Sequence, residues 1–507
     1  KIKSMCAKKR RSAIVVERSP AREERVPLPL EAAGECRWVV PKGARPWMRT
    51  SALVIADERL LEHIRAEQAL DQLANATALP GIVGQALAMP DCHQGYGLPV
   101  GGVVATELKH GVVSPGAVGY DINCGVRLLA SDLAEHELLR QQTKLADLLG
   151  RSIPSGVGGH DGLDLGRRDL EALLKGGAEW MVDEQGWGEA EDLDVIESGG
   201  RIDGADPDAV SAPAKDRGLH QVATLGAGNH FLEVQVVDHV FDEGAAAVLG
   251  LEKDMVCVMI HSGSRGLGYQ VCDDALALLR KAPEKYGIAL PDRQLACAPV
   301  HSPEGQRYIA AMRAAANFAW CNRQLLTWQA REVFAAVFGR PWQDLQMNLV
   351  YDVCHNIAKF EEHSVGGKTK RVWVHRKGAT RAFPPGHPEV PAMYRHIGQP
   401  VIIPGDMGRA SWVLVGQPGS MEKTFGTTCH GAGRAMSRTA AVKEAGGRRI
   451  DKELEARGVI ARAQSRKGLA EEQPKAYKNV DEVVEVVDKA GLSRKVCRMR
   501  PVGVIKG

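Results

Sequence analysis

Met255-Val-Cys-Val-Met-Ile-His-Ser-Gly-Ser-Arg265 passes from an apolar run, half of it β-branched, into a polar turn carrying a histidine and a glycine. The first part has the length and composition of a buried strand. The second offers groups that bind cations and anions, placed where a strand end aims side chains into a cleft. Residues 349–353, 371–374 and 401–403 repeat the pattern of a short apolar run before a polar, Gly- or His-bearing segment. Between these strands the period changes. Leu60, Leu61, Ile64, Leu70 and Leu73 recur at helical spacing, as do Leu138, Leu139, Leu145, Leu148 and Leu149, and each set predicts a helix. Residues 304–338 predict the longest helical stretch, divided into two helices, and residues 437–457 open another. Residues 154–218, rich in Gly and Asp, predict an elaborated surface region with one helix around 170–180. No repeat period and no Pro/Gly/Ser linker divides the chain, so the expected fold class is α+β: a single large mixed catalytic domain over 27–507, behind a charged extension at 1–26.

With 65 Lys plus Arg against 62 Asp plus Glu in 507 residues, the formal charge is only +3. That excludes global disorder and argues against nucleic-acid binding through bulk charge, but it leaves room for a local basic groove. No stretch predicts a membrane helix, since even the apolar run near Ala310 is broken by Arg313. Eleven scattered cysteines, an odd number, predict free thiols in a reducing, cytoplasmic compartment. Lys8-Lys9-Arg10-Arg11 has no apolar segment after it, so a secretory signal is not expected, while a nuclear address stays open.

Five segments carry unusual chemistry: Asp121-Ile-Asn-Cys124-Gly, Gly226-Ala-Gly-Asn229-His230, His261-Ser-Gly-Ser-Arg265, Asp352-Val-Cys-His355-Asn356 and Cys429-His430-Gly-Ala-Gly-Arg434. Asp121 and Cys124, three apart in a glycine-flanked turn, can converge on one cation, and a thiolate can bridge two. With His230, His261 and His355 the set would hold two cations sharing Cys124. Ligand softness alone favours zinc; the carboxylate leaves manganese, iron or cobalt open. The segment 427–434 resembles a phosphate cradle: small residues let backbone N–H groups approach an anion, a following helix adds partial positive charge, and Arg434 offers a bidentate fork. His430 sits within it, where an imidazole can attack phosphorus. Standard nucleotide motifs fail on spacing. Gly367-Lys368-Thr369 would need a glycine where Glu362 stands, no Lys-x-Asp-Gly occurs, and no His-Glu-x-x-His exists.

Together with Met89-Pro-Asp-Cys-His-Gln-Gly-Tyr-Gly97, Val113-Ser-Pro-Gly-Ala-Val-Gly-Tyr-Asp-Ile-Asn-Cys-Gly125 and Val504-Ile-Lys-Gly507, these segments resemble the RtcB family of RNA-splicing ligases from about Leu79 onward. The resemblance implies that family's own α+β fold. It also implies a ligase, dependent on GTP and manganese, that joins RNA 2',3'-cyclic phosphate or 3'-phosphate ends to 5'-hydroxyl ends in tRNA splicing and RNA repair. It assigns His430 as the guanylylated nucleophile. Asp121, Cys124 and His230 would hold one manganese ion, and Cys124, His261 and His355 the other. The guanylate would be bound by Asn229, His230, Phe231, Leu232, Glu233, His355, Asn356, Pro404, Gly405, Asp406, Met407, Ser411, His430, Gly431, Ala432, Gly433 and Lys506. Arg265, Arg434 and Arg438, and more weakly Lys215 and Arg217, are candidates for RNA phosphates. The expected partners are RNA, GTP, an archease-like activator and a tRNA-ligase complex.

One departure stands out. The family usually has a small hydroxyl residue at the position of Asp406 and Thr at that of Arg409. A carboxylate there would repel phosphates unless it faces away or pairs with Arg409. Two rival functions share the same parts: a dinuclear metal phosphoesterase trimming RNA ends, which needs no covalent guanylate on His430, and a noncatalytic RNA-binding subunit of a splicing complex.

Overall fold

The computed structural model describes residues 27–156, 163 and 165–507, so the charged extension at 1–26 lies outside the described residues. Two twisted sheets carry the site. The first runs, in spatial order, Glu31–Ala32, Arg37–Val40, Ala52–Ile55, Ile82–His93, Val100–Glu107, Lys368–Lys377 and Asn356–Val365. The second runs Asn348–Cys354, Gly125–Ala134, Met255–Ser262, Phe231–Val240, Ser493–Lys506, Ser411–Gly416 and Pro400–Ile403, with Ile460–Ala463 added parallel to Ser493–Lys506. One residue, His355, separates the last strand of the first sheet from the first strand of the second. It therefore sits at the corner where the sheets meet.

All four predicted apolar runs are strands, and their β-branched residues are buried. Gly366 and Gly367, both with positive φ, form the turn between Asn356–Val365 and Lys368–Lys377, so Gly367-Lys368 is a hairpin and not a phosphate loop. The helices differ in four places, one of them the 154–218 region, expected to hold one helix and holding Arg167–Asp183, Ala190–Asp194 and Ala212–Gly218. The leucine set at 60–73 makes two helices, Glu58–Ala66 and Ala69–Ala76, because Glu67 is extended and its carboxylate accepts the Gln94 N–H at 2.6 Å. Residues 437–457 divide into Arg438–Ala445 and Ile450–Glu455, parted at Gly446, which caps the first helix in the left-handed region.

The stretch expected to hold two helices is one, Pro303–Phe338, 36 residues long. Asn317, Asn322, Arg323, Gln324 and Arg331 lie along it and are buried, which is why hydrophobic periodicity alone suggests a break. Their partners explain how they can be there. Arg323 donates Nε and Nη2 to the Asp352 carboxylate, both at 2.8 Å, and Nη1 to the Asn123 and Ser262 carbonyls. Arg331 forks onto Asp192 at 2.7 Å through both terminal nitrogens. Removing one member of such a pair strands a buried charge and costs about 3–5 kcal/mol. Asp192 belongs to the region expected at the surface. Instead Arg167–Asp183 packs its Leu170, Leu173, Leu174 and Met181 into the main core against the long helix, and Glu197 is buried between Lys359 and Arg381. Polar composition misled at Asp192 and Glu197, whose charges are paired inside, while most of the region's other charges stay at the surface as expected.

Candidate functional site

The turn at Asp121 to Cys124 is fixed before any ligand arrives. Asn123 adopts φ +53°, a conformation asparagine tolerates, and its amide donates to Ala316 O at 2.7 Å, while Arg323 holds its carbonyl. Asn356 clamps the same turn by donating to Asp121 O at 3.0 Å, and its Oδ1 accepts the Gly378 N–H at 2.8 Å. The thiol of Cys124 is thereby aimed at three imidazoles on three strand ends. Its Sγ lies 3.4 Å from His230 Nε2 and 3.2 Å from His261 Nε2, and the His261 and His355 Nε2 atoms are 3.3 Å apart. His230 Nε2 is also 2.7 Å from Asp121 Oδ2. Two donor sets result, Asp121/Cys124/His230 and Cys124/His261/His355, each with its ligand atoms within 4.8 Å of one another.

The chemistry of the donors suits cations. His230 Nδ1 donates to Leu225 O at 3.0 Å, which orients the ring so that Nε2 faces Asp121 and Cys124. Burial, then the neighbouring imidazoles, pulls His261 and His355 well below their usual range, so both stay neutral. Burial would raise the Asp121 carboxyl, but His230 outweighs it and holds it down at about 2. Burial and then Asp121 push the Cys124 thiol well above its ordinary value. Ionising it calls for the positive charge that a cation at the crossing point would supply.

His430 lies beside this cluster, its ring 4.8 Å from that of His355. It follows the short strand Thr427–Cys429 and is gripped by Asp91 at the end of Ile82–His93. Asp91 Oδ2 accepts from His430 Nδ1 at 2.6 Å, from the His430 N–H at 2.9 Å and from the Gly431 N–H at 3.2 Å. Burial opposes ionisation of Asp91, but the pairing with His430 prevails and keeps the carboxyl below its usual range. The proton is thus placed on Nδ1 and the lone pair on Nε2. Gly433, at φ +71°, lets this turn lie against the Asp91 carbonyl, where a Cβ would sit 2.1 Å away. The expected fork of Arg434 is spent differently. Its Nη1 donates to Glu472 at 3.0 Å, and Nε and Nη2 go to the Met436 and Glu471 carbonyls. The helix expected to point at the anion begins only at Arg438.

A cleft of about 270 Å³ joins these parts. Its wall includes Asp121, Cys124, Asn229, Phe231, Glu233, His261, His355 and Asn356, residues 404–407, residues 430–434, Arg438 and Lys506. Several expected residues are absent from it. Leu232 alternates away from Phe231 and Glu233 and packs in the core, so only its backbone is available. Ser411 lies behind the wall, taking the Gly405 N–H at 3.3 Å and the Gln235 amide at 3.0 Å. Arg265 donates to Thr224 and Gly156, and Lys215 pairs with Glu171; neither they nor Arg217 line the cleft. Arg438 is the freer cation, 56% exposed and 3.4 Å from Glu472.

Lys506 belongs to the strand Ser493–Lys506, held between Phe231–Val240 and Ile460–Ala463, with its ammonium 5.5 Å from the Phe231 ring centre. Burial pushes the neighbouring Glu233 carboxyl up to about 7. Asp406 lines the cleft and also finds partners: Oδ1 accepts the Gly408 N–H at 3.0 Å and Oδ2 faces Arg409 Nε at 3.4 Å. Burial nevertheless pushes it up to about 6, which lessens the repulsion expected of it.

Sequence reasoning passed over Asp91, quoted within a motif but given no role, and Lys377. The Lys377 ammonium, pulled down to about 8 by burial, donates to Tyr96 O and to Gly116 O. A carboxylate at a strand end beside Pro90 and His93 was the available signal.

Two donor sets that share Cys124 and could each hold a cation, with an aspartate-held imidazole beside them, have the form of a metal-assisted enzyme site. The family model described as tRNA-splicing ligase RtcB matches residues 72–507. The tRNA-splicing ligase RtcB of Thermococcus kodakarensis is 53% identical over 480 residues, 95% of this chain and 99% of the relative. That of Archaeoglobus fulgidus is 53% identical over 478 residues, 94% and 99% respectively. The RNA-splicing ligase RtcB of Mycobacterium tuberculosis is 53% identical over 439 residues, covering 86% of this chain and all of the relative. The chain belongs to the RtcB family.

Proposed function

We propose that this protein joins RNA 2',3'-cyclic phosphate or 3'-phosphate ends to 5'-hydroxyl ends through a guanylylated His430, in tRNA splicing and RNA repair. The observation that carries the reading is the grip of Asp91 on His430. It fixes the tautomer, exposes Nε2 to the cleft and supplies a negative charge behind the ring. His430 Nε2 attacks the α-phosphorus of GTP and pyrophosphate leaves. A cyclic end is first opened by water at the P–O2' bond to give a 2'-hydroxyl and a 3'-phosphate; the guanylate then passes to the 3'-phosphate, turning it into an anhydride, and the 5'-hydroxyl displaces GMP. Bound at the Asp121/Cys124/His230 and Cys124/His261/His355 sets, two manganese ions would neutralise charge developing on phosphate oxygens. The oxygen of Asp121 and the family membership favour manganese over the zinc that softness suggests.

Glu233 and Lys506 would meet the guanine, residues 404–407 and 431–433 the rest of the guanylate, and Arg438 the RNA phosphates. An archease-like activator and a tRNA-ligase complex are the partners this reading implies, and the cytoplasm its compartment. Among the described residues no helix is long and apolar enough to cross a membrane. A phosphoesterase or a noncatalytic subunit would not need the Asp91-held nucleophile. Mass spectrometry after incubation with GTP and manganese should show a GMP adduct, acid-labile and base-stable. Full labelling of His430→Ala would refute the assignment.

A further inference from the structure

Three tyrosines from three separate segments converge at the rim of the cleft. Tyr120, immediately before Asp121, lines the cleft. Its ring stacks on that of Tyr269 with centroids 4.7 Å apart and planes at 24°, and Tyr96 meets its edge at 5.6 Å. Tyr269 is 50% exposed, although core packing would have hidden it. Other large apolar side chains are exposed among the described residues, but none of them lines the cleft or stacks on a residue that does. None of the three phenol hydroxyls has a protein hydrogen-bond partner among the described residues.

The backbone beneath the stack is held firmly. The Ser264 N–H donates to Asp121 Oδ1 at 3.0 Å, which ties the start of the helix Arg265–Leu279, and Tyr269 one turn along it, to the candidate metal turn. Lys377 donates to the Tyr96 carbonyl, and the Gly97 N–H donates to Gln294 at 2.9 Å. A fixed aromatic face that leads out of a phosphate-handling cleft has the form of a platform for an unpaired base.

We infer that the exposed face of Tyr269, backed by Tyr120, stacks a nucleobase of one of the two RNA ends and so holds that end in register with the cleft. This deepens the ligase reading and rests on it. The base is selected by its π face, so joining tolerates any base at that position but not its absence. The side of Tyr269 away from Tyr120 supplies the stacking surface.

The test uses the whole protein, with Tyr269→Ala and Tyr269→Phe. Two readouts are compared: joining kinetics, and fluorescence anisotropy of single-stranded RNA binding. The RNAs carry an abasic site at either the last nucleotide of the 3'-phosphate strand or the first of the 5'-hydroxyl strand. Tyr269→Ala should raise KM and Kd for one of the two ends about 5- to 150-fold, with little change in kcat or in GMP labelling. Phenylalanine should restore both. The abasic site on that same strand should weaken binding to the parent by a similar factor and to Tyr269→Ala by none. The inference is overturned if Tyr269→Ala binds and joins both ends as the parent does, or if it remains as sensitive to the abasic site as the parent. Absence of a GMP adduct would refute the ligase reading instead, and anisotropy would still decide the stacking.

Discussion

Replacing Asp91 by Asn isolates the charge behind His430. The carboxylate Oδ2 takes three N–H groups, and an asparagine oxygen in the same place can take all three. The other position, Oδ1, is buried with no hydrogen-bond partner, so an amide NH₂ there meets no competing donor. Fold and tautomer should survive, and what disappears is a unit negative charge facing the ring. As Nε2 bonds to phosphorus the imidazole becomes cationic. Opposite charges about 4 Å apart at an effective dielectric near 20 attract by about 4 kcal/mol. The amide dipole recovers part of this, so guanylylation should slow on the order of 10²–10³-fold. Single-turnover labelling with radioactive GTP and manganese measures the rate, and a thermal melt within a few degrees of the parent certifies the fold. Labelling at the parental rate in a folded variant would show that the carboxylate only holds the loop.

Cys124→Ala removes a ligand from both donor sets, so metal analysis should find neither site filled and both labelling and joining lost; two full equivalents of manganese would sink the shared-ligand assignment. Lys506→Ala should erode the preference for GTP over ATP, because an ammonium favours the O6 and N7 acceptors of guanine over the N6 donor of adenine; an unchanged preference would move base selection to Glu233. Burial pushes Glu233 up to about 7, so the native state holds a proton that the unfolded chain releases between about pH 4.5 and 7. Stability should therefore fall as pH rises through that window and level off above it. Glu233→Gln should remove about 3 kcal/mol of that fall, read as melting points converging or crossing between pH 5 and 8; a constant offset at both pH values would contradict it.

The strands were legible because short apolar runs such as 255–260 and 401–403 are buried on both faces and so are continuously hydrophobic. The candidate ligands were legible because they cluster at strand ends: Cys124 and His230 stand just before a strand, His261 at the end of one and His355 just after one. What composition hid was charge inside the molecule. Arg323 and Asp352 satisfy each other only because two segments distant in sequence meet, and no local pattern announces that. The same holds for Arg331 and Asp192, whose pairing draws part of an expected surface region against the core and lies along the one helix where two were expected. Arg434 was misjudged in the opposite sense: its motif position suggested an anion ligand, but Glu472, far along the chain, claims it. Asp91 shows the limit most plainly, since its partner lies 339 residues away.

The strand Ser493–Lys506 lies inside the second sheet, between Phe231–Val240 and Ser411–Gly416, although it is the last strand in sequence order. During synthesis the ribosome delivers the ligand-bearing strand ends of residues 121–355 and the His430 turn well before it delivers this strand. Until residue 506 emerges, the sheet has an unpaired gap and the cleft lacks one wall. A chain that stops short of residue 506 thus carries the candidate cation donors and the His430 turn without the wall that Lys506 adds to the cleft.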